Sequence, residues 1–142
     1  MDAEVVELAS TAGVTLVKLM TTDLWDQARN AVTGLFARHA PDRAADVPGQ
    51  LDHSRAELAG AAESVVDLTA AELAEQWARR LRWLLSADPA AVQPLRELLA
   101  QLTAQLPAAD RQQVIQMKAV ARDNARIYQA GRDQHIHDLP DR

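Results

Sequence analysis

Residues 69–106, TAAELAEQWARRLRWLLSADPAAVQPLRELLAQLTAQL, contain two successive helix patterns. Thr69 followed by Glu72 predicts a capping box, in which a hydroxyl and a carboxylate satisfy free amides at a helix start. Asp88-Pro89 predicts the end of this helix and the start of the next, with Asp as the cap and Pro in the first turn. Each helix has one apolar stripe at helical spacing: Leu73, Trp77, Leu81 and Leu84 in the first, and Val92, Leu95, Leu98, Leu99, Leu102 and Leu106 in the second.

The chain before this stretch also has helical periodicity. Residues 3–39 carry one apolar stripe that Thr21-Thr22-Asp23 interrupts, which predicts either two helices or one helix bent near Thr22. A weaker helix is expected over residues 49–64, because Pro48-Gly49 breaks its start. Helices with one apolar face must pack against each other, so we expect an all-α antiparallel bundle of four to five helices over residues 1–108. The residues expected to be largely buried in it are Trp25, Trp77, Leu81, Leu84, Leu95, Leu98 and Leu102.

Composition narrows the class of protein. The chain has 142 residues and no cysteine, which excludes disulfides and thiolate chemistry. The N-terminus carries acids where a signal peptide would carry Lys or Arg, and no apolar run is long enough to span a membrane, so we expect a cytoplasmic location. The net charge is −5 and is unevenly distributed: residues 111–142 have six basic and four acidic residues, about +2, so the part before residue 111 carries about −7. An acidic body argues against nucleic-acid binding.

No motif predicts catalysis or a cofactor. A phosphate-binding glycine loop, a Ser-His-Asp arrangement and a zinc-binding H-E-x-x-H pair are all absent from the sequence. His135 and His137 would lie on one side of an extended strand, but no third metal ligand follows at standard spacing. His39 and His53 stand alone near expected helix ends, which favours structural or solvent-exposed roles. We therefore expect a protein that is not an enzyme and has no metal or other cofactor.

Two segments allow a membrane interpretation beside a structural one. From Leu8 to Met20 the only charged residue is Lys18 and small residues are frequent, which fits a buried core helix or a helix that enters a membrane interface. The candidate membrane residues there are Leu8, Val14, Leu16, Val17, Leu19 and Met20. Residues 77–85, WARRLRWLL, place arginine beside tryptophan, which suits an anionic membrane surface. The structural interpretation is a core stripe with a basic outer face.

The C-terminal tail, residues 109–142, differs in character from the bundle. Residues 111–120 can be helical, but the following residues have little apolar surface. The tetrapeptide Ala121-Arg122-Asp123-Asn124 returns ten residues later as Gly131-Arg132-Asp133-Gln134, which allows a two-rung β arrangement. The alternative is a helix that ends near Gly131 and is followed by a flexible segment.

Residues 124–136, NARIYQAGRDQHI, resemble the C-terminal motifs of actinobacterial amyloid-signalling proteins. The core IYQAG, residues 127–131, is similar to the hydrophobic–Gln–hydrophobic–Gly core of RHIM-type motifs, although Ala130 departs from the usual Val or Ile. The helical layout resembles the Bell domains, which are bacterial bundles similar to fungal HeLo domains. The residues that this resemblance implicates in self-assembly are Asn124, Ile127, Tyr128, Gln129, Gly131, Gln134 and Ile136.

The resemblance implies a signalling or cell-death effector. Its tail would assemble with itself, templated by an NLR-type receptor that carries a matching motif, and its bundle would act on an anionic membrane after activation. Gln and Asn ladders and stacked Tyr side chains stabilise such cross-β packing. The alternative is a helical adaptor or scaffold whose tail binds a protein partner by adding a strand to a sheet edge.

Overall fold

The computed structural model describes residues 3–112 and 114, and within them every regular element is helical. An all-α bundle is therefore confirmed. Five helices have 13 or more residues, which agrees with the expected four to five, and a short helix and two single 3-10 turns (Glu63–Val65 and Pro89–Ala91) connect them. The α-helices are α1 (Ala3–Leu19), α2 (Trp25–His39), α3 (Pro41–Ala44), α4 (Val47–Ala59), α5 (Val66–Ala87) and α6 (Val92–Gln105).

The N-terminal region forms two helices rather than one bent helix. The hydroxyl of Thr21 donates to the carbonyl of Lys18 at 2.8 Å, and the hydroxyl of Thr22 donates to that of Leu19 at 2.9 Å. Each carbonyl also accepts the backbone N–H of the same threonine, at 3.0 Å from Thr21 and 3.1 Å from Thr22, so the chain tightens into i→i+3 bonds where α1 ends. Thr22 Oγ1 also accepts the backbone N–H of Leu24 at 3.2 Å, just before α2. The two threonines thus make the break that the sequence predicted.

The prediction of a capping box at Thr69 and Glu72 is wrong. Helix α5 begins three residues earlier, at Val66, and a 3-10 turn leads into it without a side-chain cap. Val66 packs against the core, so tertiary burial extends the helix beyond the point where local hydrogen bonding predicted its start. Thr69 lies inside the first turns, where its hydroxyl cannot act as the cap.

The expected bounds of the fourth helix, residues 49–64, are also wrong. Helix α4 runs from Val47 to Ala59 and includes Pro48 in its first turn, where a helix needs no N–H donor. Burial of Val47, which is only 2% exposed, favours the earlier start. The helix ends at Ala59 with Gly60 as its C-cap, and Glu63 begins the turn that leads to α5.

The boundary between α5 and α6 agrees with the prediction at Asp88-Pro89. The Asp88 carboxylate accepts the backbone N–H of Ala90 at 3.1 Å, and Pro89 opens the 3-10 turn that precedes α6. Helix α6 ends at Gln105, next to Leu106-Pro107. Residues 108–112 and 114 are again helical, and Val114 belongs to the core at 6% exposure.

The core lies where α1 packs on the long helix α5, with α6, α2 and α4 around this pair. The prediction that Leu98 is largely buried is wrong, because Leu98 is only partly buried, on the rim of the core. Helix α6 turns Leu95, Leu99 and Leu102 inward instead. The other residues expected in the core are buried: Trp25, Trp77, Leu81, Leu84, Leu95 and Leu102.

Candidate functional site

The apolar residues of α1 lie inside the bundle. Of the two interpretations of this segment, the structure has the buried core helix. Leu8 is partly buried and packs against the core. The other five candidate membrane residues are between 1% and 4% exposed: Val14, Leu16, Val17, Leu19 and Met20. Any membrane contact of this face therefore requires α1 to leave the bundle.

Small residues bring α1 and α5 into close backbone approach. A Cβ atom added to Gly13 would collide with the carbonyl oxygen of Ala74 and would lie 3.1 Å from the backbone nitrogen of Ala78. Ala9 and Ala12 are buried beside Gly13 on the same helix. The small residues that suggested membrane packing in the sequence thus serve a contact within the bundle.

Polar contacts surround the C-terminal end of α1. Lys18 Nζ lies 3.2 Å from Asp110 Oδ1, which joins α1 to the segment after α6. Arg55 Nε of α4 donates to the carbonyl of Met20 at 3.4 Å. A cavity of about 710 Å³ opens here between α1, α4 and α5, with Asp52 and Asp67 also on its wall.

Residues 77–85 match the structural interpretation, a core stripe with a basic outer face. Trp77 is fully buried, and its Nε1–H donates to Ser54 Oγ of α4 at 3.0 Å. The Arg80 guanidinium stacks 4.5 Å from the centre of the Trp77 ring, and Arg79 is exposed. Trp83 differs from Trp77 in its burial: Trp83 is 40% exposed, whereas Trp77 is fully buried.

A second cavity, of about 460 Å³, lies over this outer face of α5. Arg43 of α3 and Trp83 both line this cavity, and the Arg43 guanidinium stacks 4.3 Å from the centre of the Trp83 ring. We call this cavity the basic cleft, and its lining residues are Phe36, Arg43, Asp46, Val47, Gln50, Gln76, Arg79, Arg80 and Trp83. The spacing of residues 76, 79, 80 and 83 along one helix stripe was visible in the sequence. The position of Arg43 was not, because that residue comes from a distant helix.

The two isolated histidines have the kinds of role that the sequence favoured. His39 Nδ1 lies 2.8 Å from Asp88 Oδ2, which ties the end of α2 to the turn between α5 and α6. This hydrogen bond, together with the N–H of Ala90, holds the pKa of Asp88 below its usual value. His53 is exposed, and its Nε2 lies 3.9 Å from Oε1 of Glu57. Within residues 3–112 and 114, no three acidic or histidine side chains are grouped to hold a metal ion.

The predicted self-assembly residues lie outside the described part of the chain. This applies to Asn124, Ile127, Tyr128, Gln129, Gly131, Gln134 and Ile136, and to the histidine pair at 135 and 137. Their roles stay predictions from the sequence. No helix in the described part is both long and apolar enough to cross a membrane. Comparison with known proteins gives no match to a family, to a characterised protein or to a solved structure.

Proposed function

We propose that the protein is a signalling or cell-death effector, with a self-assembling tail and a helical bundle that acts on membranes. The observation that carries the proposal is the setting of α1. This helix is almost uncharged from Leu8 to Met20 and is buried in the bundle by small-residue contacts to α5. An apolar helix that a bundle covers can be released only at the cost of opening the core, which suits an inactive state that waits for a trigger.

The contact between Lys18 and Asp110 supports a route from the tail to α1. Asp110 and Val114 come 14 and 10 residues before Asn124, where the proposed assembly motif begins, and both contact the bundle. In the proposed mechanism, recruitment of the tail into a cross-β assembly pulls this segment away and removes its contacts with α1. A partly buried ion pair and one core valine then separate from the bundle, which lowers the cost of releasing α1.

Released α1 would lie in the membrane interface rather than cross the bilayer. Its 17 residues would extend about 26 Å, which is less than the roughly 30 Å hydrocarbon core of a typical bilayer. Many released helices side by side on one tail assembly would disturb lipid packing together. Arginines on the outer face of α5 would favour anionic lipids over neutral ones.

Seeded vesicle leakage tests the whole proposal with the full-length protein. Fibrils of a peptide of residues 122–138 should trigger release of dye from vesicles of phosphatidylcholine and phosphatidylserine. Gln129→Pro should abolish seeding, because proline removes a ladder donor, whereas Gln129→Asn should retain it, because Asn also forms amide ladders. A peptide that stays monomeric even with seed would refute the tail mechanism and leave the adaptor alternative.

Site-specific labels test whether α1 moves. The chain has no cysteine, so single substitutions Val6→Cys on α1 and Ala100→Cys on α6 can each carry one polarity-sensitive dye. Both positions are exposed, so labelling should leave the bundle folded. Seeding with vesicles present should shift the Val6 dye towards an apolar environment and leave the Ala100 dye unchanged. Equal responses at the two positions would mean that the bundle docks as a unit and that α1 is not released.

A further inference from the structure

The basic cleft contains positive charge that the described structure does not neutralise. Arg43, Arg79 and Arg80 all line it, and Asp46 is the only carboxylate among its lining residues. No carboxylate oxygen within residues 3–112 and 114 lies within 4.0 Å of any of the three guanidinium groups. Elsewhere on the bundle arginines do find partners, as Arg29 does with Asp52 at 2.7 Å.

Arg80 is held in this cleft by packing and not by a counter-ion. Its guanidinium stacks on the Trp77 ring, and its Nη1 is buried without a hydrogen-bond partner in the described structure. Partial burial lowers the pKa of Arg80, and the neighbouring charge of Arg79 lowers it further. An anion in the cleft would offset both unfavourable effects, because it supplies an opposite charge and hydrogen-bond acceptors.

The arginines are also positioned in advance. Arg43 is stacked on Trp83 and Arg80 on Trp77, so two of the three guanidinium groups are restrained before any ligand arrives. Planar, restrained guanidinium groups suit the oxygens of a phosphate, which accept two parallel N–H bonds from one arginine. The chain as a whole has a net charge of −5, so a general attraction of anions to the protein cannot substitute for this local charge.

We infer that the basic cleft binds an organic phosphate, with the phosphate group on Arg43, Arg79 and Arg80. A cleft of about 460 Å³ exceeds the size of a phosphate group, and its Phe36 and Trp83 walls can contact the organic part of the ligand. The same phosphate chemistry occurs in a lipid headgroup and in a free small molecule. This site does not depend on assembly of the tail.

Calorimetric titration of the full-length protein with glycerol phosphate tests the soluble source. Flotation with phosphatidylcholine vesicles that contain phosphatidic acid tests the lipid source. Binding in either arm supports the site, and the arm that binds identifies the source. Acrylamide quenching adds a local readout, because Trp83 is 40% exposed while Trp25 and Trp77 are at most 2% exposed. Bound ligand should shield Trp83 from this neutral quencher.

Matched arginine variants decide whether binding occurs in the cleft. Arg79→Gln should weaken binding about tenfold or more, since a hydrogen bond to a charged group contributes at least that factor. Arg96→Gln makes the same charge change on α6, away from the cleft, and should bind as the unchanged protein does. Arg43→Gln provides a second cleft variant if the first fails to fold, as circular dichroism would reveal. Equal binding by cleft and control variants, or no binding in either arm, would overturn the inference.

Discussion

The close approach of α1 and α5 makes a sharp prediction about Gly13→Ala. Alanine normally stabilises a helix by about 0.5–1 kcal/mol relative to glycine. At Gly13, however, the added methyl group would lie closer than 3.0 Å to the backbone carbonyl of Ala74. A backbone carbonyl inside a helix cannot turn away as a flexible side chain can, so the two helices must separate. Such overpacking typically costs about 1–3 kcal/mol.

Gly34 provides a matched control in the same protein. It lies in the middle of α2, and a Cβ atom there would meet nothing within 4 Å. Gly34→Ala gains the helix preference without the collision, so the free energy of unfolding should rise by about 0.5–1 kcal/mol. Because the helix preference is common to both variants, the difference between them isolates the steric cost, about 1–3 kcal/mol.

Urea unfolding of both variants, followed by far-ultraviolet circular dichroism, measures this difference. The midpoint for Gly13→Ala should lie well below that for Gly34→Ala, with an unchanged dependence on urea. If Gly13→Ala proved as stable as Gly34→Ala, the close contact with Ala74 would be refuted. If α1 is the membrane-active helix, Gly13→Ala should also increase dye leakage at equal protein concentration, because it weakens the contact that retains α1.

Three further predictions concern stability. Trp77→Phe should lower the free energy of unfolding by about 1–3 kcal/mol, because it leaves the buried Ser54 hydroxyl without its partner, and a double-mutant cycle with Ser54→Ala should show coupling. Leu95→Ala should cost about 2–5 kcal/mol in urea unfolding and Leu98→Ala roughly half as much, because only Leu95 is fully buried; equal costs would contradict the observed rotation of α6. Asp88 has a lowered folded-state pKa, so its stabilising effect is fully present above its ordinary value of 3.8 and is lost as the pH falls through the lower folded value. Asp88→Asn should therefore be less stable than the unchanged protein at neutral pH and should lose less stability on acidification, and parallel pH profiles of thermal unfolding would contradict this.

Local chemistry made much of the fold readable. The Asp88-Pro89 boundary is set by a side-chain cap and a fixed proline angle, both of which act within a few residues. At the break after α1, two threonine hydroxyls donate to carbonyls of the last turn, which is again a contact within a few residues. The apolar stripes gave the helices and the class of fold, because a helix places residues three and four apart on one face whatever it packs against.

Helix starts that depend on tertiary packing could not be predicted from the sequence. Val47 and Val66 extend α4 and α5 beyond their local signals, because burying an apolar side chain against distant helices outweighs a missing cap. The same reason explains Leu98, since two neighbouring leucines compete for the core and the docking of α6 selects Leu99. In the sequence, Leu98 and Leu99 both fit the apolar stripe of this helix, so the pattern could not tell which of them is buried.

The features of the candidate sites also fall into two groups, those that the sequence determines and those that depend on tertiary packing. The sequence by itself determined that α1 is apolar and rich in small residues, that Arg79 and Arg80 follow Trp77, and that IYQAG begins at Ile127. Only the tertiary structure decided that the small residues of α1 meet α5. It also decided that Arg43 joins the α5 arginines over Trp83. The physical reason is that periodicity describes one helix face, whereas a site depends on which two faces meet and how closely their backbones approach.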